Sequence, residues 1–193
     1  MPTTARPPAR ERLLQAAETV LFERGIRATP VDELLRHAEV SVATLYAQFG
    51  SKDALVAEAL QRRLANWRAV WDEQVIAADD DLGRLLALFD ALSLYRDGRR
   101  PRARWCAFLA TAAEHPEAPA EIDEVLAADT ALLRQRLEHL AAPLAGEHAP
   151  QLADEILLIY NGTLAAFLRG RPADPIDVGR RLAQRAAGGY SLR

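Results

Sequence analysis

The sequence predicts an all-α protein in two parts: an N-terminal arm with a three-helix domain at residues 1–52, and a larger helical bundle at residues 53–193. Half of the 193 residues are hydrophobic. They recur at the spacings of three and four that are typical of amphipathic helices, and no alternating stretch indicates a strand. Capping residues at helix starts and Gly or Pro at helix ends divide the chain into about nine helices.

The first helix is predicted at residues 9–24, after a short arm that contains Pro and Arg. Gly25 follows it as a C-cap. Three helices are the smallest unit that can hold one of them at a fixed angle, so we expect this helix to be structural. Its apolar stripe consists of Leu13, Leu14, Ala17, Val20 and Leu21.

Three helix starts follow one another within residues 29–52. Thr29 is predicted to cap the first of them, Ser41 the second and Ser51 the third. A short helix, a tight turn and a second short helix form the pattern of a helix-turn-helix, which places its second helix in the major groove of DNA.

The second short helix has two different faces. Val42, Leu45 and Phe49 recur at helical spacing, so we expect their face to be buried. The opposite face is small and uncharged, whereas a helix that is merely solvated more often carries Glu, Lys or Arg. Short polar groups and methyl groups are what base edges require. A tyrosine, Tyr46, lies near the rim of this face, where its phenol could reach a phosphate.

Lys52 is the only lysine among 24 basic residues. It lies in the first turn of a predicted helix, where a cation opposes the helix dipole. An ammonium group beside helix N–H groups is a good phosphate anchor, which favours a functional role over chance placement.

These residues carry a resemblance to a known family. The run Val-Ser-x-x-Thr-Leu-Tyr-x-x-Phe-x-Ser-Lys-Asp-x-Leu at residues 40–55, within a match over about residues 10–60, resembles the DNA-binding domain of TetR-family transcriptional regulators. The resemblance implies phosphate contacts by Thr29, Tyr46 and Lys52, and base or backbone contacts from the second short helix. The candidate DNA-binding set is Thr29, Ser41, Val42, Ala43, Thr44, Tyr46, Ala47, Gln48 and Lys52.

The chain departs from this family at Glu39, where the helix-turn-helix turn usually has glycine. If the position requires a positive φ, a side chain there costs on the order of 1 kcal/mol. Its carboxylate would also stand near DNA with the wrong charge.

The rest of the chain reads as six further helices, the first of them a long strut that begins at Ser51. Their predicted ranges are 51–77, 82–96, 103–115, 120–140, 151–169 and 175–187. The resemblance implies that this part is a ligand-binding and dimerisation domain.

The last two helices interleave large apolar residues with small ones, which let helix backbones approach closely. They could complete the core of one protomer, or two such helices from each subunit could form a four-helix bundle. The resemblance favours a homodimer, which would bind a near-palindromic operator. The candidate interface residues are Leu157, Tyr160, Leu164, Phe167, Leu182 and Ala186.

Aromatic residues concentrate in the middle of the chain, either as plain core or as the lining of an apolar pocket. The resemblance favours a pocket for a small, hydrophobic effector of unknown identity that releases the DNA. The candidate pocket residues are Trp67, Trp71, Phe89, Leu92, Tyr95, Trp105, Phe108 and Ala112.

Other classes find little support in the sequence. The net charge of −3 argues against a non-specific, histone-like DNA binder. The single cysteine precludes an intramolecular disulfide framework, and the four histidines have no metal-ligand spacing. No catalytic constellation, signal peptide or membrane-spanning run is apparent. We therefore expect a cytoplasmic protein with no cofactor, no metal, no membrane partner and no enzymatic activity.

The resulting interpretation is a bacterial transcriptional regulator, a dimeric repressor that an effector releases from operator DNA. Two alternatives remain open: an activator with the same fold, and an all-α enzyme or small-molecule-binding protein that retains a helix-turn-helix.

Overall fold

The computed structural model describes residues 6–98 and 106–190. Within these ranges every regular element is a helix, which confirms the all-α prediction. The first helix, α1, runs through three consecutive segments, Ala9–Ala16, a π-helical Ala17–Leu21 and Phe22–Arg24. The others are α2 (Val31–Ala38), α3 (Val42–Phe49), α4 (Lys52–Ala77), α5 (Asp81–Gly98), α6 (Ala107–Glu114), α7 (Ala120–Ala145), α8 (Ala149–Arg169) and α9 (Pro175–Tyr190).

The chain forms two compact units. The N-terminal unit contains the described residues up to Arg63 together with Ala107–Leu126, and therefore α1 to α3, the first half of α4, α6 and the start of α7. The C-terminal unit contains the remainder of the described chain. The chain thus enters the N-terminal unit twice, and the second entry contributes α6.

The N-terminal unit has a leucine core. Helical periodicity puts one leucine per turn on the inner face of each short helix, and burying each such side chain contributes about 1.5–3 kcal/mol. The leucines with no exposed surface are Leu13, Leu21, Leu34, Leu45, Leu55 and Leu60.

An ion-pair cluster links α4 to α1 at the edge of this core. The Arg62 guanidinium donates to both carboxylate oxygens of Glu11 at 2.8 Å and lies 3.4 Å from Glu18. The hydrogen bond from Arg62 lowers the pKa of Glu11, and the same bond raises the pKa of Arg62. Ion pairs as well as apolar packing therefore hold the first half of α4 against α1.

In the C-terminal unit, α9 packs against α8 and α5. Gly179 allows the close approach, because a Cβ at this position would overlap the Thr163 hydroxyl and lie 2.9 Å from Phe89 Cε1. A second link between α9 and α5 is the ion pair of Arg180 with Asp90, at 3.1 Å. Among the helices of residues 6–98 and 106–190, none has the length and apolar character needed to cross a bilayer.

Candidate functional site

The start of α3 is fixed by the serine that the sequence predicts as its cap. Ser41 has an extended backbone, and its Oγ accepts a hydrogen bond from the Thr44 N–H at 3.2 Å. The two hydroxyls of Ser41 and Thr44 are also 2.9 Å apart. Ser51 caps α4 in the same way, with the Ala54 N–H at 2.9 Å. Both predicted serine caps are confirmed.

The outer face of α3 is exposed and uncharged. Val42 is 52% exposed and Tyr46 is 55% exposed. The other exposed side chains of this face belong to Ser41, Ala43, Ala47 and Gln48, while Thr44 is half-buried. The surface thus presents methyl groups, one amide and one phenol without an ionisable side chain between them.

The prediction that Val42 lies on the buried face was wrong. Leu45 is the only residue of α3 that is fully buried, and Phe49 is half-buried. Val42 is the first residue of the helix, and spacing alone does not tell whether a first-turn side chain has a neighbouring element to pack against. Its exposure adds a branched apolar group to the outer face.

The turn between α2 and α3 has a positive φ at Glu39, the position where the family usually has glycine. Glu39 adopts φ 52° and ψ 51°, the left-handed conformation that glycine favours. Arg12 supports the turn, because its guanidinium donates to Ala38 O at 2.9 Å and to Glu39 O at 3.1 Å. The Glu39 carboxylate forms an ion pair with Arg6, so its negative charge has a partner within the unit.

Thr29 does not cap α2. Pro30 occupies the N-cap position and no side chain caps this helix end. Thr29 instead donates its hydroxyl back to Gly25 O at 2.7 Å, and it is only 2% exposed. The predicted phosphate contact of Thr29 stays a prediction, but in this structure its hydroxyl is committed to the turn before α2.

Lys52 also reaches into this turn. Its Nζ donates to Ile26 O at 2.7 Å and to Thr29 O at 2.8 Å. Burial lowers the pKa of Lys52, against the opposing effect of the Asp53 and Glu114 carboxylates. The side chain that the sequence analysis assigned to a DNA phosphate is bonded to two backbone carbonyls, so its phosphate role stays a prediction.

The sequence analysis did not anticipate Glu114, the last residue of α6. Its Oε2 accepts a hydrogen bond from the Arg27 backbone N–H at 2.8 Å. A single carboxylate at the end of the apolar segment AFLATAAE carries no sequence signal for such a contact, because its partner lies 87 positions away.

Four predicted pocket residues come together in the C-terminal unit as an aromatic cluster with Tyr160. The ring centroids of Trp67 lie 5.9 Å from Trp71, 5.5 Å from Tyr95 and 6.1 Å from Tyr160. The ring centroids of Phe89 and Tyr160 lie 6.4 Å apart. Leu92 is buried in the same unit.

Two polar groups adjoin this cluster. The Arg136 guanidinium lies 4.3 Å from the Trp71 ring and forms an ion pair with Asp72 at 2.5 Å. Trp71 has no exposed surface, and among the residues that the structure describes its indole N–H has no hydrogen-bond acceptor. Leaving a buried donor without an acceptor costs free energy of folding, so a ligand that supplied an acceptor atom here would be bound favourably.

Two further predicted pocket residues lie on α6. Phe108 and Ala112 belong to α6 in the N-terminal unit, where Phe108 is buried and Ala112 is exposed. Trp105 lies outside the described residues.

The predicted interface residues divide into two groups. Tyr160 and Leu164 are buried within the C-terminal unit itself, so they form part of its own core. Leu157, Phe167 and Ala186 are half-buried, and Leu182 is 45% exposed. The sequence analysis missed Leu158, which is 75% exposed on α8, one turn before the exposed Gly162.

Part of the N-terminal unit matches a known family model. Residues 13–59 match the family model of bacterial regulatory proteins of the tetR family. An HTH-type transcriptional repressor of Mycolicibacterium smegmatis, KstR2, is 36% identical over 93 residues, which are 47% of this chain and 45% of that repressor. An uncharacterised HTH-type regulator of Bacillus subtilis, YvkB, is 33% identical over 66 residues, which are 34% of this chain and 35% of the regulator. The chain thus covers less than half the length of these curated relatives.

Solved structures extend the likeness of fold over nearly the whole chain. A TetR-family transcriptional regulator of Streptomyces coelicolor superposes with a TM-score of 0.85 at 23% identity, covering 95% of this chain and 96% of that one. The reduced form of NemR from E. coli superposes with a TM-score of 0.75 at 19% identity, covering 92% and 97%. At these identities the structures establish the shared fold.

We predict that Glu39→Gly stabilises the protein. Glycine removes the left-handed strain of about 1 kcal/mol, while the lost exposed ion pair with Arg6 contributes at most a fraction of that. The midpoint of thermal unfolding should rise by about 2 °C. Glu39→Ala is the matched control, since it removes the carboxylate but keeps the Cβ. An equal gain for alanine would show that backbone strain is not the cause.

Proposed function

The chain is a member of the TetR family of regulators with an N-terminal helix-turn-helix, and on that premise we propose that it is a transcriptional repressor. It binds a near-palindromic operator as a homodimer and leaves the DNA when a small hydrophobic effector binds. The observation that carries the proposal is the exposed, uncharged outer face of α3.

This outer face has the chemistry of a base-reading surface. The exposed methyl groups of Val42, Ala43 and Ala47 suit contact with thymine methyls, and the Gln48 amide suits the donor and acceptor pair of an adenine edge. Tyr46, at the rim, is placed to donate to a phosphate. A surface without ionisable groups reads sequence through shape and hydrogen bonds, which favours specific over non-specific binding.

Selection of bound duplexes from a random DNA pool tests the DNA-binding proposal. We expect a near-palindromic site with half-sites about one helical turn apart. Gln48→Ala should change the preferred base at one position of each half-site and lower affinity for the parent site by about 5- to 150-fold. Gln61→Ala, an exposed glutamine of α4, is the control and should leave both unchanged. An unchanged preference for Gln48→Ala would locate base reading elsewhere on α3.

The dimer proposal rests on apolar surface that the protomer leaves uncovered on its last two helices. Leu158 and Gly162 on α8 and Leu182 on α9 are exposed, and a Cβ at Gly162 would meet nothing within 4 Å. Exposed apolar residues beside an open glycine on two packed helices suit close helix–helix contact with a second copy.

Leu158→Glu should therefore convert the dimer to monomer, since it places a charge in a desolvated interface. Sedimentation equilibrium measures the change, and operator affinity should fall with it. Leu94→Glu supplies the matched control, because Leu94 is also exposed but lies on α5. If both variants remain dimeric, the interface does not include α8.

The effector proposal rests on the aromatic cluster and its unpaired donor. Apolar ring surface with one convergent polar group is the composition of a small-molecule site. An effector with a hydrogen-bond acceptor would satisfy the Trp71 N–H, and a few kcal/mol of preference for the DNA-free arrangement suffices for release.

A fluorescence assay with a panel of hydrophobic compounds tests this site. We expect a compound that quenches tryptophan emission to release labelled operator over the same concentration range. Trp71→Phe keeps an aromatic ring but removes the donor, so it should weaken the response to acceptor-bearing compounds by roughly tenfold. Operator affinity without compound should stay unchanged in this variant. If the compounds release labelled operator from Trp71→Phe at the same concentrations as from the wild type, the effector site does not include the Trp71 N–H.

A further inference from the structure

We propose that Glu114 is a positioning residue for DNA binding: from the end of α6 it fixes the turn between α1 and α2, and through it the orientation of the helix-turn-helix. The inference rests on the proposed function, since it assigns a role within operator binding. It concerns a residue outside the helix-turn-helix sequence and outside the residues 13–59 that match the family model.

Arg27 donates two hydrogen bonds to Glu114. The Arg27 backbone N–H donates to Glu114 Oε2 at 2.8 Å, and the Arg27 guanidinium donates to Glu114 O at 3.2 Å. Glu114 ends α6, so its carbonyl is one of those that a helix leaves without an internal partner. A cation at this end of the helix also opposes the helix dipole. Each residue thus satisfies a backbone group of the other.

Gly25, at the start of the turn, lies close to this carboxylate. It adopts φ 103°, which L side chains rarely adopt, and a Cβ at this position would lie 2.8 Å from Glu114 Oε1. A side chain at position 25 would therefore adopt a strained backbone and would also require the end of the Glu114 side chain to move.

Two further side chains hold the same turn, one from α4 and one from the turn itself. Lys52, at the start of α4, donates to Ile26 O and Thr29 O. The Thr29 hydroxyl donates to Gly25 O. Glu114 satisfies an N–H in the middle of this turn, and the other two side chains satisfy its carbonyls, so the path from α1 into α2 is determined by α4 and α6 together.

Through this turn, Glu114 can affect the position of the outer face of α3. Residues 25–30 connect α1 to α2, and a short turn connects α2 to α3. A small rotation of the turn would displace the exposed side chains of α3 relative to base edges. Base contacts read the sequence and phosphate contacts do not, so such a displacement should lower affinity for the operator more than affinity for random DNA.

The first test compares operator and random-sequence DNA for four proteins: the full-length wild type, Glu114→Ala, Glu114→Gln and Glu117→Ala. We expect Glu114→Ala to lose roughly tenfold or more in operator affinity with little change on random DNA. Glu114→Gln keeps an acceptor oxygen and should recover most of the loss. Glu117→Ala removes an exposed carboxylate three residues away and should match wild type.

The outcomes distinguish three cases. Operator affinity equal to wild type in Glu114→Ala would overturn the positioning role. An equal loss on both DNAs, with a lower midpoint of thermal unfolding, would also overturn it, because that pattern reports a loss of folding rather than of orientation. No enrichment of any DNA sequence by the wild type would instead mean that the proposed function fails.

A second test does not depend on DNA. In the wild type, Gly25→Ala introduces both the left-handed strain and the overlap with Glu114 Oε1, whereas in a Glu114→Ala background only the strain remains. We therefore expect Gly25→Ala to lower the midpoint of thermal unfolding more in the wild type, where it also displaces the Glu114 carboxylate from the Arg27 N–H, than in the Glu114→Ala background. Equal decreases in the two backgrounds would show that the carboxylate does not define the turn.

Discussion

The hydrogen bonds of Lys52 to Ile26 O and Thr29 O are the interaction on which the N-terminal unit depends. They join the start of α4 to the turn that leads into α2, so one ammonium group connects two segments that lie far apart in sequence. Burial lowers the pKa of this amine, which means that its charge is retained at a desolvation cost. Two carbonyls at 2.7 and 2.8 Å offset that cost. A flexible lysine can reach both acceptors, whereas a planar guanidinium would require a different geometry.

Much of the fold was predictable because it follows from local rules. Ser41 and Ser51 cap the helices that they were predicted to cap, since an N-cap depends on residues within three positions. The positive φ of Glu39 was considered only as a condition, which came from the resemblance, because the family usually has glycine at this position. Helical periodicity likewise predicted the helices of both units, and their bounds differ from the predicted ones mainly at the ends.

The candidate site was predicted less completely because its contacts span long distances in sequence. Composition singled out Lys52, but its carbonyl partners lie 23 and 26 positions away and carry no side-chain signal. Glu114 was missed for the same reason. Periodicity also could not distinguish Tyr160, which faces the core of its own unit, from Leu158, which is exposed. Which apolar face of a helix is covered depends on the neighbouring helices, and a single-helix pattern does not contain them.

The charges of the N-terminal unit bear on how an acidic chain would bind DNA under the proposed function. Several of its arginines are committed internally: Arg6 to Glu39, Arg24 to Glu33 and Arg62 to Glu11. Arginines paired in this way present less free charge to phosphates, so on binding DNA the protein would release few condensed counterions. Under the proposed function, affinity must then come from the fit of the outer face of α3 to base edges. Such a fit requires a rigid turn beneath the recognition helix, and this requirement gives a physical reason for the turn at residues 25–29 to be held by side chains from α4 and α6 as well as by its own threonine.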